Sequence, residues 1–197
     1  MAGSSSKYLT ISSISEGFYK EKGSKFIAYA IPCTTEEEIK DHIARLRKEN
    51  PQAVHVCSAF RLGSDKRLYR SSDDGEPSNS AGPPILGQIQ SFDLTNILIA
   101  IVRYYGGTNL GVGGLINAYR TSAKEALDNA TIIEDENRVL LDIQFDYASY
   151  SSVMKLLKSG NCAILEQNVD NLSTMKVSIP ESNQELIKQL ELQYSRK

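Results

Sequence analysis

The hydrophobic pattern of the chain is strongest at Asn96–Val102, an almost wholly apolar run rich in β-branched residues. Such a run predicts a strand that is buried on both faces. Farther along, apolar residues recur at helical spacing from Leu115 to Ala130, which predicts an amphipathic helix of about four to five turns. The segment between them, Arg103–Gly114, contains five glycines. We therefore expect a glycine-rich connection that leads from a buried strand into a helix.

The other patterns before residue 134 predict shorter elements. They are two strands at residues 7–14 and 18–31 with a turn at Glu16–Gly17, a helix from Thr35 to Asn50, a hairpin of strands at 54–62 and 66–71, and a short helix entered at Pro83. Thr35 and Glu38 have the spacing of a capping box, which marks the start of the first helix. Residues 71–84 form a long loop with almost no apolar residue, and long ordered loops usually carry a function.

From Arg138 onward the pattern changes to strand, helix, strand, strand, helix. The predicted strands lie at residues 139–145, 163–169 and 173–179, and the predicted helices at 147–158 and 184–194. This order predicts a small ferredoxin-like split βαβ domain whose last strand is missing or very short. The acidic segment Glu134–Asn137 is interpreted as a linker. We therefore expect an α+β protein of two domains, residues 1–134 and 135–197.

Composition narrows the class of protein and its partners. With 41% hydrophobic residues, 23% charged residues and a net charge of −2, the chain is typical of folded globular proteins. No apolar run reaches the roughly 20 residues that span a membrane, and the N-terminus lacks a signal pattern, so we expect a cytoplasmic protein with no membrane partner. The acidic balance predicts no general attraction for nucleic acid: DNA is not an expected partner, and RNA would need a local basic patch.

The glycine-rich segment is the first candidate site. Glycines leave backbone N–H groups accessible, and the helix N-terminus that follows favours an anion, to which Arg103 would add a formal charge. The alternative is purely structural, because glycine also serves tight turns and close packing. The order of the glycines matches neither a Walker loop nor a dinucleotide fingerprint, so nucleotide hydrolysis is disfavoured.

Other polar residues allow further interpretations. His55 and Cys57 share one face of a strand, and with a carboxylate of Asp73–Glu76 they would resemble a nucleophilic site, although their spacing suits direct proton transfer poorly. Histidine with two or three carboxylates is an alternative that would bind a divalent metal. The loop carboxylates, Asp73 above all, have an alternative role as caps of backbone amides. Arg61, Lys66, Arg67 and Arg70 form a basic hairpin that is either a phosphate-binding surface or a solvated strand edge. The three cysteines, an odd number at wide spacings, predict free thiols.

Three blocks of the sequence, in order, closely resemble the IMPACT/YigZ family: His55–Arg61, Asp73–Leu86 and Val102–Gly111. The resemblance covers about residues 15–130, and the second unit looks like the additional C-terminal domain of the bacterial members. It implies an N-terminal domain with the fold of ribosomal protein S5 domain 2. It also implies that the C-terminal domain resembles the last domain of translation elongation factor G. Asn79-Ser80 stands where many members have Gly-Thr.

The function that this resemblance implies is regulation of translation. Domains of both kinds often handle RNA on ribosomes, so we expect a ribosome-associated or RNA-binding protein, or one that binds a translation-factor partner through its N-terminal domain. The alternatives are a protein-binding module without RNA contact and an uncharacterised Cys/His or metal-dependent hydrolase. The family is not established as an enzyme, and we assign no catalytic residue, metal ligand or cofactor.

In the expected mechanism, Arg103, the glycine amides and the basic hairpin engage phosphates, while Tyr104 or Tyr105 stacks on a base. The residues predicted for binding are His55, Cys57, Arg61, Arg67, Asp74, Glu76, Arg103, Tyr104, Tyr105, Gly106, Gly107, Gly111 and Gly113. The loop carboxylates argue against a simple phosphate groove, since they would repel a phosphate backbone unless a cation or a basic protein intervened.

Overall fold

The computed structural model describes residues 7–194, so residues 1–6, on which the expectation about a signal pattern partly rests, lie outside it. The chain divides into two compact units, Met1–Asp135 and Glu136–Lys197. Across the described residues there are five α-helices and three sheets, which makes the fold mixed α/β. No helix within residues 7–194 is long and apolar enough to cross a membrane.

The first unit is built around a five-stranded antiparallel sheet. Its elements are β1 (Lys7–Ile11), β2 (Ser15–Glu21), β3 (Ser24–Pro32), α1 (Glu36–Glu49), β4 (His55–Leu62), β5 (Leu68–Ser72), α2 (Gly82–Ser91), β6 (Ile97–Tyr104), α3 (Gly111–Asp128) and β7 (Ile132–Glu136). The strand order is β2-β3-β6-β4-β5, with β1 and β7 paired in a separate small sheet. The capping box of Thr35 and Glu38 is present at the start of α1, as predicted.

The central strand β6 is buried on both faces, which confirms the prediction from its apolar run. Its residues Ile97, Ile99 and Ile101 pack with α2 and α3 on one side of the sheet. The residues between and after them pack with α1 on the other side. Because a strand points successive side chains to opposite faces, an uninterrupted apolar run is what a strand between two helical layers requires.

The turn predicted at Glu16–Gly17 is wrong. The hairpin joins β2 to β3 through Lys22 and Gly23, whose φ angles of 46° and 83° are those of a tight two-residue turn. Gly17 lies inside β2 because α3 passes directly over it. A Cβ at this position would come within 2.4 Å of the backbone N of Ala126. The glycine that looked like a turn residue is therefore a packing residue.

The segment Glu134–Asn137, interpreted as a linker, contains the division between the two units, but most of it is strand. Residues up to Glu136 belong to β7, which pairs with β1. Lys7 of β1 forms an ion pair of 2.7 Å with Glu134 of β7. The side chains of β7 are mostly exposed, so no alternation of apolar and polar residues marks the strand in the sequence.

The second unit is smaller and two-layered. Its elements are β8 (Arg138–Asp146), a 3₁₀ turn (Tyr147–Ser149), α4 (Tyr150–Ser159), β9 (Ala163–Asn168), β10 (Leu172–Pro180) and α5 (Gln184–Tyr194), which is the predicted order. The antiparallel sheet has the order β8-β10-β9. Its core joins Ile143, Met175 and Val177 of the sheet to Leu157 of α4 and Leu190 of α5.

Replacing Gly17 with alanine is expected to lower the free energy of unfolding by about 1–3 kcal/mol, the usual cost of overpacking. The added Cβ would meet the backbone of α3, which no side-chain rotation can relieve. Gly87→Ala in α2 is the matched control, because a Cβ there meets nothing within 4 Å and alanine favours a helix. Urea unfolding, with hydrogen exchange of the β2 and α3 amides, measures both changes. Wild-type stability in Gly17→Ala would contradict the close approach of helix and strand.

Candidate functional site

Four segments meet at one end of the five-stranded sheet. His55, the first residue of β4, is paired in register with Arg103 near the end of β6. The loop that follows β5 and the start of α3 reach the same end of the sheet. Together they border a pocket of about 440 Å³, which we call the α3 pocket. Of the residues predicted for binding, those that line it are His55, Glu76, Arg103, Tyr105 and Gly111.

Arg103 is the central charged group of the α3 pocket. Its side chain is buried, and Nη1 donates a hydrogen bond of 2.5 Å to Oε1 of Glu76. The guanidinium carbon lies 5.4 Å from the centroid of the Phe26 ring and 5.7 Å from that of Tyr105. Nε is the only buried side-chain nitrogen or oxygen among residues 7–194 without a hydrogen-bond partner. Such donors are rare in folded proteins, so Nε is a candidate contact for an incoming acceptor.

Glu76 is held in place by two donors that meet at one of its oxygens, Oε1. Besides Arg103, it accepts a hydrogen bond of 2.7 Å from the hydroxyl of Tyr119 in α3. Burial raises the pKa of Tyr119, which keeps this hydroxyl protonated and able to donate. The carboxylate of Glu76 therefore offsets most of the charge of Arg103, and the pocket contains a buried ion pair rather than a free cation.

His55 presents one nitrogen toward this ion pair. Nδ1 lies 2.7 Å from the carbonyl oxygen of Asp74. Because a carbonyl can only accept, Nδ1 carries a proton. Nε2 lies 3.9 Å from Oε2 of Glu76, which is too long for a hydrogen bond. The backbone thus fixes the orientation of the imidazole.

The loop between β5 and α2 is organised by Asp73, as the cap interpretation predicted. Its carboxylate accepts hydrogen bonds from the backbone N–H groups of Asn79 (2.8 Å), Ala81 (2.9 Å) and Gly82 (2.8 Å). Burial alone would raise the pKa of Asp73, yet these hydrogen bonds bring the pKa below its ordinary value. Asp74 attaches the same loop to the sheet by accepting from the backbone N–H of Val56 at 2.6 Å.

The N-terminus of α3 forms another wall of the pocket. No side chain caps the helix, and its first turn contains no acidic residue. The helix is 18 residues long, so its first N–H groups and its dipole favour an anion at this end. Val112 in the first turn lines the pocket and is 53% exposed.

The glycines of the segment have separate roles. Gly106 packs against the β2–β3 turn, where a Cβ would come within 2.0 Å of the carbonyl carbon of Gly23. Gly107 and Gly111 have φ angles of 84° and 73°, which other residues rarely adopt. Only Gly113 has open space around it and no such backbone conformation. Packing or backbone conformation therefore explains why Gly106, Gly107 and Gly111 are glycines. Gly111 also lines the α3 pocket.

The structure corrects the grouping of the basic hairpin with Arg103. Because β4 pairs His55 with Arg103 but Arg61 with Ile97, Arg61 lies about 20 Å away along the strand. Arg61 is buried, and its Nε donates to the carbonyl of Leu94 at 2.5 Å. The other cations of the hairpin have acidic partners: Lys66 pairs with Asp93, Arg67 with Asp65, and Arg70 with Glu36.

Tyr104 is likewise separate from the pocket. Its hydroxyl donates to Oδ1 of Asn50 at 2.6 Å, and its ring packs in the core beneath α1. The neighbouring Tyr105 points to the opposite side of the strand and remains 48% exposed at the pocket. Of the two tyrosines predicted to stack on a base, only Tyr105 offers a free ring face.

The geometry gives no support to a cysteine nucleophile. Cys57 is fully buried, and its Sγ contacts the carbonyl oxygen of Asp73 at 3.1 Å and the hydroxyl of Tyr119 at 3.2 Å. Burial raises its pKa to about 12, so almost no thiolate forms near neutral pH. Within residues 7–194, no group of three or more His, Cys, Asp and Glu side chains is placed to hold a metal ion.

Sequence reasoning missed the apolar part of the pocket. Its rim and walls also include Val54, Pro77, Leu110, Val112 and Leu115. Val54 and Val112 are about as exposed as Tyr105, so the buried ion pair is surrounded by half-exposed apolar groups. The one feature of the sequence that pointed to this apolar rim is Val112, an apolar residue among the glycines that precede the predicted helix.

Comparisons with known proteins agree on one family. Residues 22–127 match the family model described as Impact N-terminal domain. The Bacillus subtilis IMPACT family member YvyE is 34% identical over 159 residues, which cover 81% of this chain and 73% of that protein. The Escherichia coli IMPACT family member YigZ is 31% identical over 161 residues, covering 81% and 79%. A crystal structure of a protein described only as hypothetical covers 94% of this chain and 92% of its own, at 28% identity and a TM-score of 0.72.

Replacing Asp73 with asparagine is expected to lower the free energy of unfolding by about 1–3 kcal/mol near pH 7, because at least one of the backbone N–H groups would face an amide donor. A carboxyl whose pKa is lowered in the folded state stabilises the protein above its unfolded-state pKa of about 3.9 and loses this contribution as the pH falls through the lower folded value. The stability difference between the two proteins should therefore shrink below about pH 4.

Urea unfolding between acidic and neutral pH measures this difference. Asp41→Asn, at an exposed position of α1, is the matched control and should change stability little at any pH. A difference for Asp73→Asn that stays constant through the acidic range would show that the carboxylate does not have the role described.

Proposed function

Because the chain belongs to the IMPACT family, as the sequence resemblance indicated, we propose that it is a translation-associated regulatory protein whose first unit binds RNA at the α3 pocket. Membership of the family suggests regulation of translation as the process. The residues of the α3 pocket suggest how RNA would be bound. The observation that carries the proposal is that the uncapped N-terminus of α3 shares a pocket with buried Arg103, whose Nε has no hydrogen-bond partner.

A phosphate group is the anion that this arrangement suits. The first-turn amides of α3 supply N–H donors and the positive end of the helix dipole. Arg103 lines the same pocket, and its buried Nε would add a charge-assisted donor to a phosphate that displaced the groups covering it. The ion pair with Glu76 limits the net positive charge, so the site suits one phosphate better than a long stretch of backbone.

A base next to that phosphate would stack on Tyr105. One face of this ring lies over Arg103, which keeps the ring at the mouth of the pocket. The Tyr105 hydroxyl also donates to Oδ1 of Asn109 at 3.2 Å. Stacking of a base on an aromatic side chain contributes about 1–3 kcal/mol, and it offsets the weak electrostatic attraction. The pocket of about 440 Å³ lies within the range of small-ligand sites, about 300–1,000 Å³.

The architecture is compatible with the domain types that the resemblance implies. We propose that residues 1–134 form a domain like domain 2 of ribosomal protein S5, and that residues 135–197 form a ferredoxin-like domain like the last domain of elongation factor G. The strand order β8-β10-β9 of the second unit is that of a split βαβ fold without its fourth strand.

A protein partner in translation control is the second candidate. The apolar rim of Val54, Tyr105 and Val112 favours it, because half-exposed aromatic and aliphatic groups around a buried charge are typical of protein interfaces. The partner would then place an acidic side chain at the start of α3.

The experiment compares Val112→Glu with Val112→Gln. Both variants remove the same apolar contact, but only the glutamate places a negative charge at the start of α3, where it also favours the helix. Fluorescence anisotropy with a single-stranded RNA of about ten nucleotides measures binding as salt increases. We expect Val112→Glu to bind about tenfold more weakly than Val112→Gln. With one or two phosphates engaged, log Kd should rise with log salt with a slope of about 0.7 to 1.4.

Sucrose-gradient sedimentation of lysates that contain each variant provides the cellular readout. If the wild type and Val112→Gln travel with ribosomes and Val112→Glu does not, the RNA proposal is supported. Equal RNA binding by the two variants would refute a phosphate at the start of α3. Co-sedimentation that is insensitive to salt, with no RNA bound in the anisotropy assay, would replace RNA by the protein partner.

A further inference from the structure

A second open site lies in the smaller unit, between α4 and β9. Six residues line a cavity of about 450 Å³ there, which we call the α4–β9 groove: Met154, Lys155, Leu157, Lys158, Cys162 and Ile164. Its floor is apolar, because Leu157 belongs to the core of the unit and Met154 and Ile164 pack against that core. The two lysines are exposed on α4. The groove thus combines an apolar base with a positive rim.

One wall of the groove is the edge of a sheet. In the described part of the second unit, β9 pairs with β10 and with no other strand. Alternate backbone N–H and C=O groups of β9 therefore point away from the sheet without a strand to bind them. An edge of this kind can accept an extended peptide as an additional strand, whose alternate side chains then enter an adjacent groove.

The register of β9 limits the length of such a strand. Lys176 of β10 pairs with Glu166, but the next residue, Val177, pairs with Ile164. Leu165 is therefore the extra residue of a β-bulge, and its side chain is 53% exposed. A bulge twists the edge locally, so it favours a short added segment over an extended sheet or a fibril.

Charge identifies the chemistry of the partner. Within residues 7–194, neither Lys155 nor Lys158 has a carboxylate within ion-pair distance. Arg138 adds a third cation near the end of the groove, where it binds the carbonyl of Asn161 at 2.7 Å. A ligand with acidic groups beside an apolar one would satisfy both the rim and the floor.

We propose that the α4–β9 groove binds an acidic, extended peptide segment of a partner protein. The peptide pairs with the free edge of β9, places an apolar side chain against Met154 and Ile164, and sets carboxylates against the two lysines. The unpaired edge favours a peptide over an amphipathic small molecule, because only a peptide backbone satisfies the N–H and C=O groups of β9. This site is independent of the α3 pocket.

Cys162 provides a reporter inside the groove. Its side chain is partly exposed, whereas Cys33 and Cys57 are buried. Partial burial raises the pKa of Cys162 as well, but full burial raises the pKa of each of the other two to about 12. In the full-length chain, N-ethylmaleimide should therefore modify Cys162 first. Mass spectrometry gives the rate of modification, and a bound peptide should slow it.

The probe is an acetylated and amidated peptide of about seven residues in which glutamates stand two residues before and two residues after a central leucine, so that all three side chains share one face of the added strand. We expect it to slow modification of Cys162 by about fivefold at a concentration near 1 mM. A peptide with lysine in place of glutamate should give no protection. A version with N-methylated backbone amides, which cannot pair with β9 in full, should need about tenfold more peptide.

Protein variants test the rim in the same assay. The double variant Lys155→Glu with Lys158→Glu should need about tenfold more of the glutamate peptide, since it reverses both charges. Lys188→Glu, at an exposed position of α5, is the matched control and should behave as the wild type. Circular dichroism checks that each variant is folded.

Three outcomes would overturn the proposal. They are no protection by the glutamate peptide at the highest concentration, equal protection by the N-methylated peptide, and protection by decanoate alone, which would indicate an apolar anion instead of a strand. None of these results depends on the RNA assay, because Val112 and the groove belong to different units.

Discussion

The burial of one guanidinium group organises one end of the first unit, where the α3 pocket lies. Arginine keeps its proton at any physiological pH, so a buried Arg103 requires an anion beside it. Glu76 provides that anion, and Tyr119 donates to the same carboxylate oxygen of Glu76 as Arg103 does. A single ion pair thus connects the end of β6, the loop after β5 and the helix α3. Removing one member of such a pair typically costs about 3–5 kcal/mol, because it leaves the other charge buried alone.

This requirement explains why the long polar loop is ordered. To place Glu76 under Arg103, the loop has to turn back toward the sheet, which leaves several backbone N–H groups without partners. The carboxylate of Asp73 accepts three of them, and Asp74 attaches the loop to β4. Asp74 and Asn79 adopt positive φ angles of 46° and 63°, which short polar side chains tolerate. Two acidic residues that resemble catalytic groups in the sequence therefore serve to position a third.

The ion pair also determines what the α3 pocket can bind. A free arginine would attract any polyanion. The ion pair of Arg103 and Glu76 has almost no net charge and acts as a local dipole. What remains is the first amides of α3, the half-exposed ring of Tyr105 and one buried, unpartnered N–H of Arg103. These groups suit a single anionic group that carries an apolar or aromatic neighbour. The second unit offers a different surface. Among the described residues, its two lysines on α4 have no carboxylate partner, and the edge of β9 has no neighbouring strand, so this surface still attracts an acidic chain.

The sequence by itself determined the family and those helices and strands whose hydrophobic pattern has a clear periodicity. The apolar run of β6, the helical spacing of α3 and the capping box of α1 each depend on neighbours along the chain, so local physics suffices to predict them. Three ordered motifs likewise sufficed to identify the family, which the comparisons confirmed. For the same reason, the cap role of Asp73 could be foreseen from its place in a turn.

Tertiary structure alone decided which residues share a site. His55 and Arg61 are close in sequence, yet an antiparallel strand carries them to opposite ends of the sheet, and only His55 reaches the pocket. Gly17 resembles a turn residue until α3 lies across it, and β7 has no apolar alternation because its side chains remain exposed. Burial, charge pairing and the apolar rim around Val112 depend on contacts between residues far apart in the chain, and no local period in the sequence encodes such contacts.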